Sequence, residues 1–294
     1  MQKDSRASGV GLERLCTHDW MRSAAPANGV ELLEAWFQGP AYRPHCHDTY
    51  AICLTTRGIQ TFTYRGALES SLPGQVTVLH PDEVHDGHAG TAAGFGYRIL
   101  YVDPALIFAA IQTLCGHPCP LPFVRSPVLT HPTLSTAITN AFASTREPLA
   151  MDSLVVQLAE GLLEVDPSCR RAPRPRYLDM AAVHRARAYL DAQNTRIVRS
   201  AELEAVTGLT RYDLARQFRA SCGTSPYRYA LLRRLDVARE HLIQGRPLVE
   251  VALDAGFADQ AHFSRIFTAT IGITPARYRA LNGLGKETPK TGLR

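Results

Sequence analysis

Gly256-Phe257-Ala258-Asp259-Gln260-Ala261-His262-Phe263-Ser264-Arg265-Ile266-Phe267 restates, with substitutions, a stretch that begins 48 residues earlier at Gly208-Leu209-Thr210. Further on, Leu214, Arg216, Phe218, Gly223, Ser225-Pro226 and Tyr229 recur as Phe263, Arg265, Phe267, Gly272, Thr274-Pro275 and Tyr278. The offset there is 49, so the second copy carries one extra residue after its glycine turn. Each copy reads as a short helix, a glycine turn and a second helix. That is the helix-turn-helix arrangement, which presents one helix to the DNA major groove.

The glycine supplies the positive φ of the turn, and an apolar residue about six positions later locks the second helix onto the first. Gly208 with Leu214 fits this spacing; Gly256 with Phe263 fits it with one residue added. Helical periodicity buries Leu214 and Phe218 in the first copy and leaves Arg211, Tyr212, Ala215, Arg216 and Arg219 outward. In the second copy it buries Phe263 and Phe267 and leaves Gln260, Ala261, His262, Ser264 and Arg265 outward. Arg216 and Arg265 hold equivalent places and suit bidentate contact with guanine O6 and N7. Gln260 and His262 suit base edges, and Arg219 suits phosphate.

Charge agrees with a DNA partner. Residues 1–170 carry 11 Lys/Arg against 16 Asp/Glu, whereas residues 171–294 carry 21 against 11. The basic half reads as seven helices. Asp179 or Met180 starts the first, Ser200 caps the second, Thr210 the third, and Ser225-Pro226 opens a long fourth that Gly245 closes. Pro247, Asp259 and Thr274-Pro275 start the remaining three. Ahead of them, Asp166–Arg176, with three prolines and four arginines, reads as an extended linker that tethers two domains rather than fusing them.

Gly208–Tyr229 and Gly256–Tyr278, joined by Arg233-Arg234-Leu235-Asp236-Val237-Ala238-Arg239, resemble the DNA-binding domain of the AraC/XylS family of bacterial transcription regulators. The resemblance covers about 100 residues. It implies two helix-turn-helix subdomains bridged by the long fourth helix, inserted in successive major grooves about one helical turn apart. Glu204 departs from the pattern, because the first copy usually has a small buried alanine there.

The N-terminal half has a different texture. Residues 1 to about 27 are polar and read as a mobile arm. Short β-like runs follow at Glu31–Gln38, Tyr50–Thr56, Gln60–Tyr64, Gln75–Leu79 and Gly96–Val102, broken by Gly and Pro turns, as in a small sandwich or barrel. Helices are expected over Pro104–Leu114, Thr133–Thr145 and Leu149–Glu164. In the last region Leu154, Leu158, Leu162 and Val165 form a stripe that suits either core or a dimer seam.

His45-Cys46-His47, Pro73-Gly74 and Pro81-Asp82-Glu83-Val84-His85 resemble the two motifs of the cupin barrel, without the carboxylate or glutamine that completes a metal site. The resemblance to AraC-type sensor domains implies an interior that serves as an effector pocket; no cofactor is expected, although His45, His47 and His85 could still bind a divalent metal. Candidate pocket residues are His45, His47, Tyr50, Arg57, Tyr64, His85 and Tyr97. Arg57 either faces inward, suiting a carboxylate or hydroxylated ligand, or faces water at a strand end. His80 and His88 are expected at the surface or rim.

The expected fold is α+β in two domains. Residues 1–165 form a cupin-like effector-binding and dimerisation domain, 166–178 the linker, 179–283 the double helix-turn-helix domain and 284–294 a disordered tail. The seven scattered cysteines fit reduced thiols, no signal peptide or membrane span is legible, and a cytoplasmic protein, nucleoid-associated on DNA, is expected. The function expected is a transcription regulator, not an enzyme. Its expected partners are double-stranded DNA, a small-molecule effector, a second copy in a homodimer and, further, RNA polymerase. The alternatives are a metal-dependent cupin enzyme with an accessory DNA-binding domain and an effector-independent architectural protein.

Overall fold

The computed structural model describes residues 19–117, 119–143, 147–171 and 178–284. The expected C-terminal tail, most of the N-terminal arm and the second half of the linker lie outside the described residues. In the N-terminal half, nine strands run β1 (Trp20–Ala27), β2 (Val30–Phe37), β3 (Pro40–His45), β4 (Tyr50–Gly58), β5 (Gln60–Tyr64), β6 (Ala67–Ser71), β7 (Val76–Leu79), β8 (His85–Ala89) and β9 (Phe95–Val102). Then come α1 (Pro104–Cys115), a short β10 (Val128–Leu129), α2 (Pro132–Ala143) and α3 (Pro148–Val165).

The strands form two antiparallel sheets, ordered β1-β2-β9-β4-β7-β10 and β3-β8-β5-β6. Alternation divides the buried side chains of the larger sheet between two cores. Val30, Leu32, Tyr50, Ile52, Leu54, Leu100 and Val102 pack outward against α1, α2 and α3, while Leu33, Ala35, Phe37, Ala51, Cys53, Phe95, Tyr97 and Ile99 face the second sheet. Leu154, Leu158 and Leu162 are buried in the helix-side core and Val165 packs against it, so that stripe is core.

Two sequence expectations fail at the edges of this half. Residues 20–27 are not arm but β1, paired with β2 through a turn in which Asn28 and Gly29 both have positive φ (49° and 74°). This is the backbone of a type I′ hairpin, whose twist matches that of the flanking strands. Asp166, expected to open the linker, accepts hydrogen bonds from Phe123 N–H and Ser168. Pro167–Arg171 then forms a 3-10 helix that buries Cys169.

The C-terminal half has the seven helices expected: α4 (Met180–Ala192), α5 (Ser200–Thr207), α6 (Arg211–Cys222), α7 (Pro226–Ile243), α8 (Leu248–Asp254), α9 (Gln260–Ile271) and α10 (Pro275–Leu284). Asp179, Thr210, Ser225 and Asp259 all cap with their side chains. At α5 the cap is Arg199 rather than Ser200, because Glu202 accepts the Arg199 N–H at 2.8 Å and so shifts the helix start by one.

The two halves are packed together and not merely tethered. The inter-sheet core runs without a break into Leu232, Leu235, Ala238 and Leu242 of α7 and Phe263 and Phe267 of α9. Six arginines of the basic half meet carboxylates of the acidic half: Arg187–Asp103, Arg219–Asp82 (3.8 Å), Arg228–Asp82 (2.7 Å), Arg233–Asp48 (3.3 Å), Arg239–Glu31 and Arg277–Asp19 (3.2 Å). A backbone bond from Arg43 N–H to Gly272 O (2.8 Å) adds to them. Part of the charge asymmetry in the sequence is therefore answered inside the molecule. Arg277–Asp19 is buried on both sides, and removing one of its partners leaves an uncompensated charge at a cost of about 3–5 kcal/mol.

Candidate DNA-reading helices and effector cavity

The duplicated units superpose in their logic. In α6, Leu214 and Phe218 are buried and Arg211, Tyr212, Ala215, Arg216 and Arg219 are exposed. In α9, Phe263 and Phe267 are buried, Gln260, Ala261, His262 and Arg265 are exposed, and Ser264 is half-buried. Both helices are 12 residues long and end at a left-handed glycine, Gly223 or Gly272. Thr210 caps α6 and Asp259 caps α9, which places the extra residue of the second copy in the turn and not in the helix. Gly256 requires that turn, since a Cβ there would lie 2.1 Å from Thr195 O.

Glu204, the departure in the first copy, is half-buried and reaches across the turn. It accepts the Arg211 N–H at 2.8 Å and lies 3.4 Å from Arg211 Nε. A carboxylate at a helix N-terminus is favourable with the dipole. The matching residue in the second copy, Ala252, is fully buried.

A cavity of about 150 Å³ lies where β1, β2, β3 and β9 meet α7 and the C-terminal ends of α6 and α9. Of the seven pocket candidates, His45 and His47 line it. His85 stands behind them, its ring 4.3 Å from His45 and 4.8 Å from His47, and Tyr97 stands behind Tyr42, the two phenol oxygens 2.8 Å apart. The other three sit elsewhere. Tyr50 has the parity of Ile52 and Leu54, so it faces the helices and donates to Pro122 O. Tyr64 binds His80 at 3.1 Å, away from the cavity. Arg57 is exposed, because a bulge between Thr55 and Arg57 reverses the alternation that would have turned it inward.

Sequence reasoning missed much of the lining: Glu31, Tyr101, Arg233, Asp236, Arg239 and Tyr278. The signal lay in α7, where charged Arg233, Asp236 and Arg239 alternate with buried Leu232, Leu235 and Ala238, a charged stripe on a helix that is otherwise core. Arg233 reaches both Asp48 and Asp236 at 3.3 Å, and Arg239 joins Glu31 to Asp236. Burial pushes the Asp48 carboxyl up to about 6 against the pull of Arg233.

The histidines are held neutral. Each of His45, His47 and His85 faces a backbone carbonyl with Nδ1 (Arg43 O, Thr49 O and Glu83 O, 2.8–3.0 Å). Burial depresses all three, His45 to about 3. His80, expected at the surface or rim, is buried. Val124 N–H donates to its Nε2 at 3.0 Å, and burial lowers its ring to about 4. Among the described residues no group of three or more His, Cys, Asp or Glu has the geometry to hold a metal ion. No helix among them is long and apolar enough to cross a membrane.

Residues 28–159 match the family model of the AraC-like ligand binding domain, and residues 203–281 match that of a helix-turn-helix domain. The HTH-type transcriptional regulator YbfI of Bacillus subtilis is 24% identical over 224 residues, covering 74% of this chain and 80% of that protein. The transcriptional activator NphR of Rhodococcus is 31% identical over 218 residues, covering 73% and 54%. The probable transcriptional regulator LumQ of Photobacterium leiognathi is 32% identical over 92 residues, covering 31% and 37%. This chain thus spans between about a third and four-fifths of these relatives. In fold, the apo crystal structure of ToxT from Vibrio cholerae aligns with a TM-score of 0.60 at 13% identity, over 87% of this chain and 98% of that one. ToxT with a bound unsaturated fatty acid gives 0.59 at 14%, over 86% and 94%. A ligand-binding model and a helix-turn-helix model in one chain, in this order, on a duplicated reading unit, place it: the chain belongs to the AraC/XylS family of transcription regulators.

Proposed function

We propose that this protein binds a specific operator through α6 and α9 and that a small molecule in the cavity beneath α7 changes how it does so. It acts by binding, without catalysis. Its functional units are an effector-binding and homodimer-forming part up to Arg171 and a reading domain from Asp179 to Leu284. Its place of work is the cytoplasm, on the nucleoid, where RNA polymerase is the further partner. Arg216 and Arg265 contact guanine edges, with Arg211, Tyr212, Ala215, Gln260, Ala261, His262 and Ser264 beside them and Arg219 on phosphate.

One observation carries the reading. The cavity takes its walls from the barrel and from α7, the helix that joins the two reading units. An occupant that binds one arrangement of these walls more tightly than another shifts the population between them, and with it the relative placement of α6 and α9. Fluorescence titration against the gene's own upstream DNA tests it. Affinity should fall steeply with salt, because arginine contacts to phosphate release counterions. Undetectable or salt-insensitive binding would reject the reading.

A further inference from the structure

The polar lining of this cavity is unbalanced in sign, and we propose that it is built for a small organic cation: a protonated amine on a body no larger than about one aromatic ring. The inference rests on the cavity being the effector site. The size follows from the volume of about 150 Å³, which equals that of an engineered cavity known to admit benzene.

The charge follows from counting what the wall already pairs. Four carboxylates line the cavity, Glu31, Asp48, Asp103 and Asp236, against two guanidinium groups, Arg233 and Arg239. Arg187, from behind the wall, answers Asp103. Arg233 is shared between Asp48 and Asp236, and Arg239 between Glu31 and Asp236. One negative charge is left over. A carboxylate ligand would add to that excess; an ammonium would cancel it, and its charge would oppose the burial that raises Asp48.

Two further groups point the same way. His47 presents Nδ1 to Thr49 O, so the neutral ring carries its lone pair on Nε2, which is buried without a partner among the described residues. It is an acceptor waiting for a donor. Tyr42, Tyr101 and Tyr278 line the same space, Tyr278 with Arg239 already over its ring, and aromatic rings attract cations. Arg233 Nε, also buried and unpartnered, leaves room for one neutral acceptor, such as a hydroxyl, on the same ligand.

Three one-ring probes of matched size test the class on the full-length protein: 2-phenylethylamine, 2-phenylethanol and phenylacetate, each followed by calorimetric titration. The amine should bind at least about tenfold tighter than phenylacetate. Asp48→Asn, and independently Asp236→Asn, should cost the amine about tenfold while leaving 2-phenylethanol unchanged, which also reports that the cavity is intact. Phenylacetate binding as tightly as the amine, unaltered amine affinity in both variants, or no binding by any probe would overturn the inference. Operator binding is measured in the same samples. If it persists while the amine preference fails, the ligand class is wrong and the regulator stands; if it is absent, the regulator reading itself has failed.

Discussion

The two reading helices carry arginine at matching positions and hold it differently. In α6, Arg211 lies against Glu204, and Arg216 is 3.6 Å from Asp213. In α9, Arg265 has no ion pair among the described residues, and the residue matching Glu204 is the buried Ala252. Duplication has preserved the shape of the unit and not its electrostatics. In the first unit Arg211, Arg216 and Arg219 all have carboxylate partners, Arg219 with Asp82 of the barrel, while in the second Arg265 has none among the described residues. The turns differ as well. A Cβ on Gly208 would meet nothing within 4 Å, whereas one on Gly256 would strike Thr195 O.

The turn glycines give the largest expected effect. Gly208→Ala carries only the cost of a left-handed backbone for an L side chain, about 1 kcal/mol. Gly256→Ala adds a backbone collision and displaces Gly256 O and Ala255 O from Arg234, so a loss of more than about 3 kcal/mol is expected. Denaturant midpoints at unchanged m-value measure both. Equal losses would mean that the two turns are interchangeable.

Next in size is the pair of arginines. Arg265→Ala should cost about 1–3 kcal/mol in operator binding and relax base preference at one position. Arg216→Ala should fall at or below the low end of that range, because breaking the pair with Asp213 offsets part of what the wild-type contact gains. Anisotropy titrations on the operator and on single-base variants read both quantities. A larger loss at Arg216 would reverse the comparison.

What was legible in the sequence was local. Gly208, Gly256, the caps at Thr210, Ser225 and Asp259, and the spacing of Leu214 with Phe218 and Phe263 with Phe267 fix α6, α7 and α9 by rules that span a few residues. Asn28-Gly29 was equally local, a strong hairpin signal, but it lay at the end of a polar stretch that read as an arm. Tyr50 needed the parity of its strand, and Arg57 needed a bulge that one strand cannot reveal. The effector cavity was the least legible part. Its walls bring Asp48 to Arg233 and Glu31 to Arg239, pairs separated by 185 and 208 residues. No periodicity reports a contact at that distance, and reading the basic half as a DNA surface hid how many of its arginines turn inward.

The smallest effect is the one that isolates charge from shape. Glu204→Ala makes the first unit resemble the second, where Ala252 occupies the place. Losing an acceptor for the Arg211 N–H and a carboxylate at the start of α6 should lower stability by about 0.5–1 kcal/mol. The same change frees Arg211 from a half-exposed ion pair worth at most about 1 kcal/mol, so operator affinity should rise, by less than about fivefold, and its salt dependence should steepen. Stability and affinity thus move in opposite directions, which no general loosening of the fold would produce. Should affinity fall together with stability, Glu204 serves only to hold the turn, and the electrostatic difference between the two helices has no part in reading DNA.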